Sequence, residues 1–171
     1  MKLVITAGHG ANDPGAVYNG YTERDLMTQL RDKVAENLRR MGHEVLTDGD
    51  VGENLPLKEA LKHIKNFDLA VEFHTNAAAN PTAKGVEVFS LPDLKSQSQR
   101  LAAAIGEILV TPCRGEQGWK PQEQSARGKL AFVGAGGMLA EVFFISNPEE
   151  LADYLLSEDI LAQKIAFALV E

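Results

Sequence analysis

The hydrophobic pattern alternates between two periods along the chain. Leu3, Val4 and Ile5 form a short apolar run rich in β-branched residues, which predicts a strand. Leu26, Leu30, Val34, Leu38 and Met41 then recur at helical spacing. Thr22 and Asp25 stand at the start of that helix in a capping-box-like relation, and Gly42 supplies its stop. His43 to Thr47 reads as a second strand, followed by a loop at Gly49 and Asp50. Leu57, Ala60, Leu61 and Ile64 predict a short amphipathic helix with Pro56 in its first turn. Asp68 to His74 reads as a third strand, with Leu69, Val71 and Phe73 on one face and Ala70, Glu72 and His74 on the other. A fourth strand spans Gly85 to Leu91, and Leu101, Ile105, Ile108 and Leu109 mark the next helix. Thr111 to Ser125 is polar and irregular. Lys129 to Val133 and Met138 to Phe144 predict two more strands around Gly134, Gly136 and Gly137. Asn147 caps a helix with Pro148 at its first position. Ser157 is read as the cap of a last helix carrying Ile160, Leu161, Ile165 and Leu169.

Strands alternating with helices predict an α/β fold, a three-layer sandwich with helices on both faces of the sheet. The 171 residues are expected to form one domain, 1–171, large enough to bury a core. A hydrophobic content of 44% and a charged content of 24% fit an ordinary globular chain. No apolar run is long enough to span a membrane. The net charge of −7 argues against a nucleic-acid binder, which needs a basic face. MKLVITAGHG is too short an apolar stretch for a secretory signal and runs directly into the fold. Synthesis in the cytoplasm without a leader is therefore expected, as is a monomer without a separate anchoring module. The one cysteine, Cys113, allows no internal disulfide and is expected to be a buried small hydrophobe rather than a nucleophile.

Candidate chemistry starts where the first strand ends, in LVITAGHGANDPG. Gly8, Gly10 and Gly15 with Asp13-Pro14 mark tight turns, and His9 falls directly after the strand, where α/β folds bind ligands. His74 ends the third strand in the same way. Glu23 lies in the first turn of the first long helix, a position that either complements the helix dipole or faces His9. Glu141 interrupts the apolar run from Met138 to Ile145, and a carboxylate there is costly unless paired or used. Glu72 shares a face with His74, either as an acceptor for its imidazole or as a partly exposed edge glutamate. Asn76 either binds substrate or stiffens the loop after His74. Trp119 either stacks on a ligand or plugs its loop. His43 and His63 are read as solvated or capping residues. The Gly-rich turn raises a phosphate-binding alternative, but AGHGANDPG matches neither GxGxxG nor a phosphate loop.

These segments resemble a known family. AGHGANDPGA, Glu23 opening a helix, EFHTNA and LAEVFFISNPEE, in that order, are similar to the zinc-dependent N-acetylmuramoyl-L-alanine amidases of bacterial autolysins and phage endolysins. The resemblance runs from Met1 to about Leu151. It implies a mixed, mostly parallel sheet of about six strands, matching the strand count above. Two imidazoles and a carboxylate form a complete protein set for catalytic zinc. His9, Glu23 and His74 are that set here, and the family's ligands fall on the same three positions. Glu141 falls on the family's catalytic glutamate, which accepts a proton from water and passes one to the leaving amine. The implied substrate is peptidoglycan, cleaved at the amide between N-acetylmuramate and L-alanine. The absence of an anchoring module fits a phage endolysin, released to the wall from the cytoplasm or exported by another route. LTDGD lacks the arginine that the family often carries after the second strand, and Glu72 replaces a small residue. A zinc peptidase acting on another peptide bond and a non-catalytic wall-binding module are the alternative functions.

Overall fold

A computed structural model describes every residue of the chain except Ala11 and His63. The reading of His63 as a solvated residue therefore lies outside the described residues. In chain order the elements are β1 (Lys2–Ala7), β2 (Val17–Tyr18), β3 (Tyr21–Thr22), α1 (Glu23–Arg40), β4 (Glu44–Thr47), α2 (Leu57–Leu61), β5 (Leu69–Asn76), β6 (Glu87–Phe89), α3 (Lys95–Leu109), β7 (Trp119–Lys120), α4 (Ala131–Gly134), β8 (Met138–Phe144) and α5 (Pro148–Val170). Six strands form one sheet in the order β4-β1-β5-β8-β6-β7, and β2 and β3 form a small hairpin. The four strands β4, β1, β5 and β8 run parallel. β6 is antiparallel to β8, and β7 runs parallel to β6. The sheet is thus mixed and mostly parallel, with helices on both faces, as expected.

The two faces are covered unequally. Leu3 and Ile5 of β1, Val71 and Phe73 of β5, and Met138 and Ala140 of β8 point into the main core. There they meet the apolar stripes of α1, α3 and α5. Leu26, Leu30, Val34 and Leu38 on α1 are all buried, each contributing about 1.5–3 kcal/mol of apolar burial. The Tyr154 ring of α5 stacks on Phe143 at 4.7 Å, and its hydroxyl donates to the Leu26 carbonyl at 3.0 Å, tying α5 to α1. The opposite face carries a smaller cluster of Val4, Ala60, Ile64, Ala70 and Phe132 under α2 and α4. Short elements leave room on this face, and the polar side chains of β5 and β8 open into it.

The helix ends follow the local signals. Thr22 Oγ1 accepts from the Asp25 amide at 3.1 Å, and Gly42, at φ +86°, ends α1. Asn147 Oδ1 accepts from the amides of Glu149 and Glu150 at the start of α5. Three expectations are corrected. Lys129–Val133 is not a strand, because Ala131–Gly134 forms one helical turn, α4. A five-residue apolar run does not distinguish a strand from a buried turn, and Phe132 packs so closely on Gly137 that a Cβ there would lie 2.2 Å from its ring. The sixth strand instead lies inside the stretch read as irregular, as β7 beside β6. Ser157 caps no separate helix: α5 runs unbroken past it, and its hydroxyl donates to the Asp153 carbonyl within the helix. No described helix is long and apolar enough to cross a membrane.

Arg31 is fully buried on α1. Its guanidinium donates to Asp48 Oδ1 and to the Asp50 carbonyl, each at 3.0 Å, and also pairs with Asp32. A basic group for the segment after β4, where LTDGD carries none, is thus supplied from α1. Removing one member of a buried ion pair leaves the other charge uncompensated. Arg31→Met is expected to lower the stability by about 3–5 kcal/mol, read as a fall in the denaturant midpoint; an unchanged midpoint would show the pair to be dispensable.

Candidate metal centre

His9 follows β1, and His74 lies near the carboxyl end of the neighbouring parallel strand β5; the connections of the two strands leave in opposite directions, β1 toward β4 and β5 toward β8 and β6. Such a switch point opens a crevice at the carboxyl ends of the strands. The start of α1 brings Glu23 to the same place. Ligand atoms of His9, Glu23 and His74 all lie within 4.8 Å of one another. His9 Nε2 stands 3.2 Å from Glu23 Oε2, and His74 Nδ1 stands 3.0 Å from Glu23 Oε1. The Glu23 carboxylate also accepts from the amides of Ala16 and Thr75, each at 3.0 Å. Two imidazoles and a carboxylate converging this closely can hold a metal ion.

The outer nitrogens of both rings are engaged as well. His9 Nδ1 donates to Asp13 Oδ2 at 2.8 Å, and His74 Nε2 donates to Glu72 Oε2 at 2.9 Å. A carboxylate on the far nitrogen fixes the tautomer and ring orientation of a ligating histidine. Glu72 is buried in the central strand β5, so it is the imidazole's acceptor rather than an exposed edge glutamate. Asp13, read from sequence only as part of a turn, has the same role toward His9. Its signal was the four-residue spacing to His9 across that turn.

The loops bend unusually to reach this geometry. His9 adopts a left-handed backbone at φ 60°, rare for a residue with a side chain. The Asn54 side-chain amide holds that bend, donating to the carbonyls of Ala7 at 3.1 Å, Gly8 at 3.0 Å and also His9. No sequence pattern pointed to Asn54. Gly8 and Gly15 make the close approach possible. A Cβ on Gly8 would lie 2.0 Å from His74 Cε1, and one on Gly15 would lie 2.6 Å from Glu23 Oε2.

Glu141 faces His74 in register across β5 and β8, and Glu87 faces Glu141 from β6. Between His74 and Asn76, the single residue Thr75 of β5 is matched by two of β8, Val142 and Phe143. This bulge turns both Val142 and Phe143 into the main core while Glu141 stays on the site face. Burial raises the Glu141 carboxyl to about 7; His74 opposes the rise, and the neighbouring carboxylates of Glu23 and Glu87 add to it. Burial also pushes Glu23 upward, but hydrogen bonds to His74 and His9 outweigh it and hold that carboxyl well below the usual range. The bond to Glu23 raises His9. For His74, burial acts downward and is overcome by Glu23 and Glu72.

A cavity of about 370 Å³ lies over the cluster, lined by His9, Glu23, His74, Glu87 and Glu141, with Phe89, Leu130 and Leu139 as apolar wall and Gln124 to Arg127 along one side. Asn76 lines it too, and its amide donates to Glu87 Oε1 at 3.1 Å. Glu87 is in turn held by Arg114 Nε at 2.7 Å and Lys120 Nζ at 2.5 Å. Trp119 is not among the lining residues. It donates to Ser90 Oγ at 3.0 Å under the Lys95 ammonium and so pins its loop. His43 sits by the amino terminus, 3.2 Å from the Met1 nitrogen. Cys113 is exposed rather than buried, because its loop runs along the surface, and it lies outside the cavity.

Fold and site together define an α/β domain that presents a histidine–carboxylate set able to hold a metal ion beside a half-buried glutamate. A family model described as N-acetylmuramoyl-L-alanine amidase, Amidase_3, matches residues 3–171, and the chain belongs to this family. It is thus a hydrolase of the muramoyl-alanine amidase class. It is 31% identical over 171 residues to the uncharacterized protein YqiI of Bacillus subtilis, covering 98% of this chain and 81% of that one. It is 30% identical over 175 residues to the endolysin of Bacillus phage SPP1, covering 96% of this chain but only 62% of the endolysin. A solved structure assigned as an N-acetylmuramoyl-L-alanine amidase from Neisseria meningitidis matches with a TM-score of 0.91 at 42% identity, over 98% of this chain and 93% of that one.

Two outcomes are expected. Glu72→Gln should weaken metal binding by about 10–100-fold, the usual effect of a ligand's supporting carboxylate. Chelator competition measures this, and unchanged affinity would mean that Glu72 merely fills space. Cys113→Ser should keep full turnover, since the thiol lies outside the cavity that holds the cluster.

Proposed function

We propose that the protein is a zinc-dependent N-acetylmuramoyl-L-alanine amidase that cleaves the lactyl–alanine amide of peptidoglycan. The observation that carries this reading is the convergence of His9 Nε2, Glu23 and His74 Nδ1 beside an unpaired, buried Glu141 Oε2. The set fits zinc by its chemistry: both imidazoles are locked by an outer carboxylate, and two nitrogens with one oxygen leave a coordination position open. Zinc bound there supplies a Lewis acid that polarises the scissile carbonyl and eases deprotonation of the attacking water.

The chain's own residues do the rest. Glu141 Oε2 has no hydrogen-bond partner among the described residues, so it is free to take the proton of a water attacking the lactyl carbonyl. A carboxyl raised to about 7 holds that proton and returns it to the alanine nitrogen as the carbon–nitrogen bond breaks. Water and amide are thereby converted to a lactyl carboxylic acid and a free amine. The apolar wall of Phe89, Leu130 and Leu139 limits water around the transfer.

Digestion of purified peptidoglycan tests this reading. New amino-terminal alanine and free lactyl-muramic ends are expected, lost on chelation and restored by zinc; amino termini other than alanine would show a peptidase instead. Glu141→Gln should keep the metal and the fold but lose about 10²–10⁴ in rate. His9→Ala and His74→Ala should lose metal and activity together. Normal turnover in Glu141→Gln would remove Glu141 from the mechanism.

A further inference from the structure

Two cavities meet at the metal centre. Besides the 370 Å³ space over Glu141, a second of about 290 Å³ lies on the other side of the histidines, bounded by Asp13, Pro56, Leu57 and Glu72. Among the described residues, three line both: His9, His74 and Arg127. Among the described lining residues Arg127 is also the one Lys or Arg, alongside Asp13, Glu23, Glu72, Glu87 and Glu141. Its guanidinium has no ion-pair partner among the described residues, whereas Arg114 and Lys120 nearby are both committed to Glu87. The segment that carries it is braced by its own bonds, Gly128 N to Ser125 O at 3.1 Å and Leu130 N to Gln122 Oε1 at 3.0 Å. Beside it, Ser125 Oγ is buried without a partner and belongs to a residue lining the larger cavity, as does Thr75 Oγ1. Buried polar atoms without partners are few in folded proteins, and of the five among the described residues three, on Thr75, Ser125 and Glu141, belong to residues lining this one space.

We propose that Arg127, with Ser125 beside it, is the anchor for a carboxylate of the stem peptide, on the residue following the alanine. This rests on the amidase reading. In the intact substrate the lactyl carboxyl is consumed in the scissile amide and the N-acetylated sugar is neutral, so anionic groups lie only on the peptide. A guanidinium binds a carboxylate through two parallel hydrogen bonds, which fixes orientation as well as position. Arg127 is exposed and lines both cavities that share the two histidines; since each extended residue adds about 3.5 Å, it suits a carboxylate close in sequence to the cleaved bond. Arg127 is thus a positioning residue that selects substrates with an acid at that place and takes no part in proton transfer.

The test uses two synthetic muramoyl dipeptides, one with a free α-carboxylate on the second residue and one with the carboxamide. Turnover and equilibrium binding of both are measured for the zinc-loaded wild type, Arg127→Ala and Arg127→Lys. The wild type should favour the acid by roughly 10–100-fold in kcat/KM, the worth of a charge-assisted hydrogen bond. Arg127→Ala should erase that preference by losing the acid alone, mainly through KM, and Arg127→Lys should restore part of it. Equal losses on acid and amide, or a wild type blind to the difference, would overturn the assignment while leaving the amidase reading intact. Acid-selective binding that depends on Arg127 without release of alanine would uphold the anchor and reject the amidase. Neither binding nor turnover of either compound would reject both.

Discussion

The arrangement of the site depends on one carboxylate. Glu23 accepts from the amides of Ala16 and Thr75 and meets an imidazole at each oxygen. It therefore ties the loop after β1, the start of α1 and the end of β5 together at one point. Its own position is set by α1, whose cap at Thr22 and buried stripe on the sheet fix where the first turn falls. A buried carboxylate must be matched by donors, and here the donors are the groups that carry the chemistry. The structural requirement and the functional one are met by the same contacts.

The unequal covering of the sheet gives this constraint a place to act. Three long helices bury one face completely, and that face carries most of the core. The other face is covered by α2 and α4, which are short, and the polar ends of β5 and β8 open between them. Carboxylates accumulate there: Glu72, Glu87 and Glu141 project from adjacent strands, close to Glu23. Their mutual repulsion is relieved in different ways. Glu87 is neutralised by Arg114 and Lys120, Glu72 and Glu23 by the histidines, and Glu141 is left to rise to about 7. A cation between the imidazoles would relieve the remainder.

Much of this architecture is legible along the chain. The strand at Leu3 to Ile5, the α1 stripe with Thr22 and Gly42 at its ends, and the alternating faces of β5 all follow from local periodicity and capping. His9, Glu23, His74 and Glu141 stand out for a local reason too: each is a polar group at a strand end, at a helix start or inside an apolar run. The misread elements were those where local pattern carries little information. Lys129 to Val133 is too short to choose between a strand and a turn, and β7 has only two residues, defined by pairing to β6 rather than by its own composition.

The residues that complete the site belong to the second kind. Asn54 acts through carbonyls more than forty positions away in sequence, Glu72 becomes a histidine's partner only because β5 is central and buried, and Arg127 reaches both cavities only through the path of its loop. The sequence by itself determined the long elements, the faces they bury and the chemical types at their ends, because these depend on neighbours within a turn or a pleat. Only the tertiary structure decided which ends meet, which nitrogen of each imidazole faces inward and which carboxylate is left without a partner. Those are distances between segments, set by strand order and packing, and no local pattern carries them.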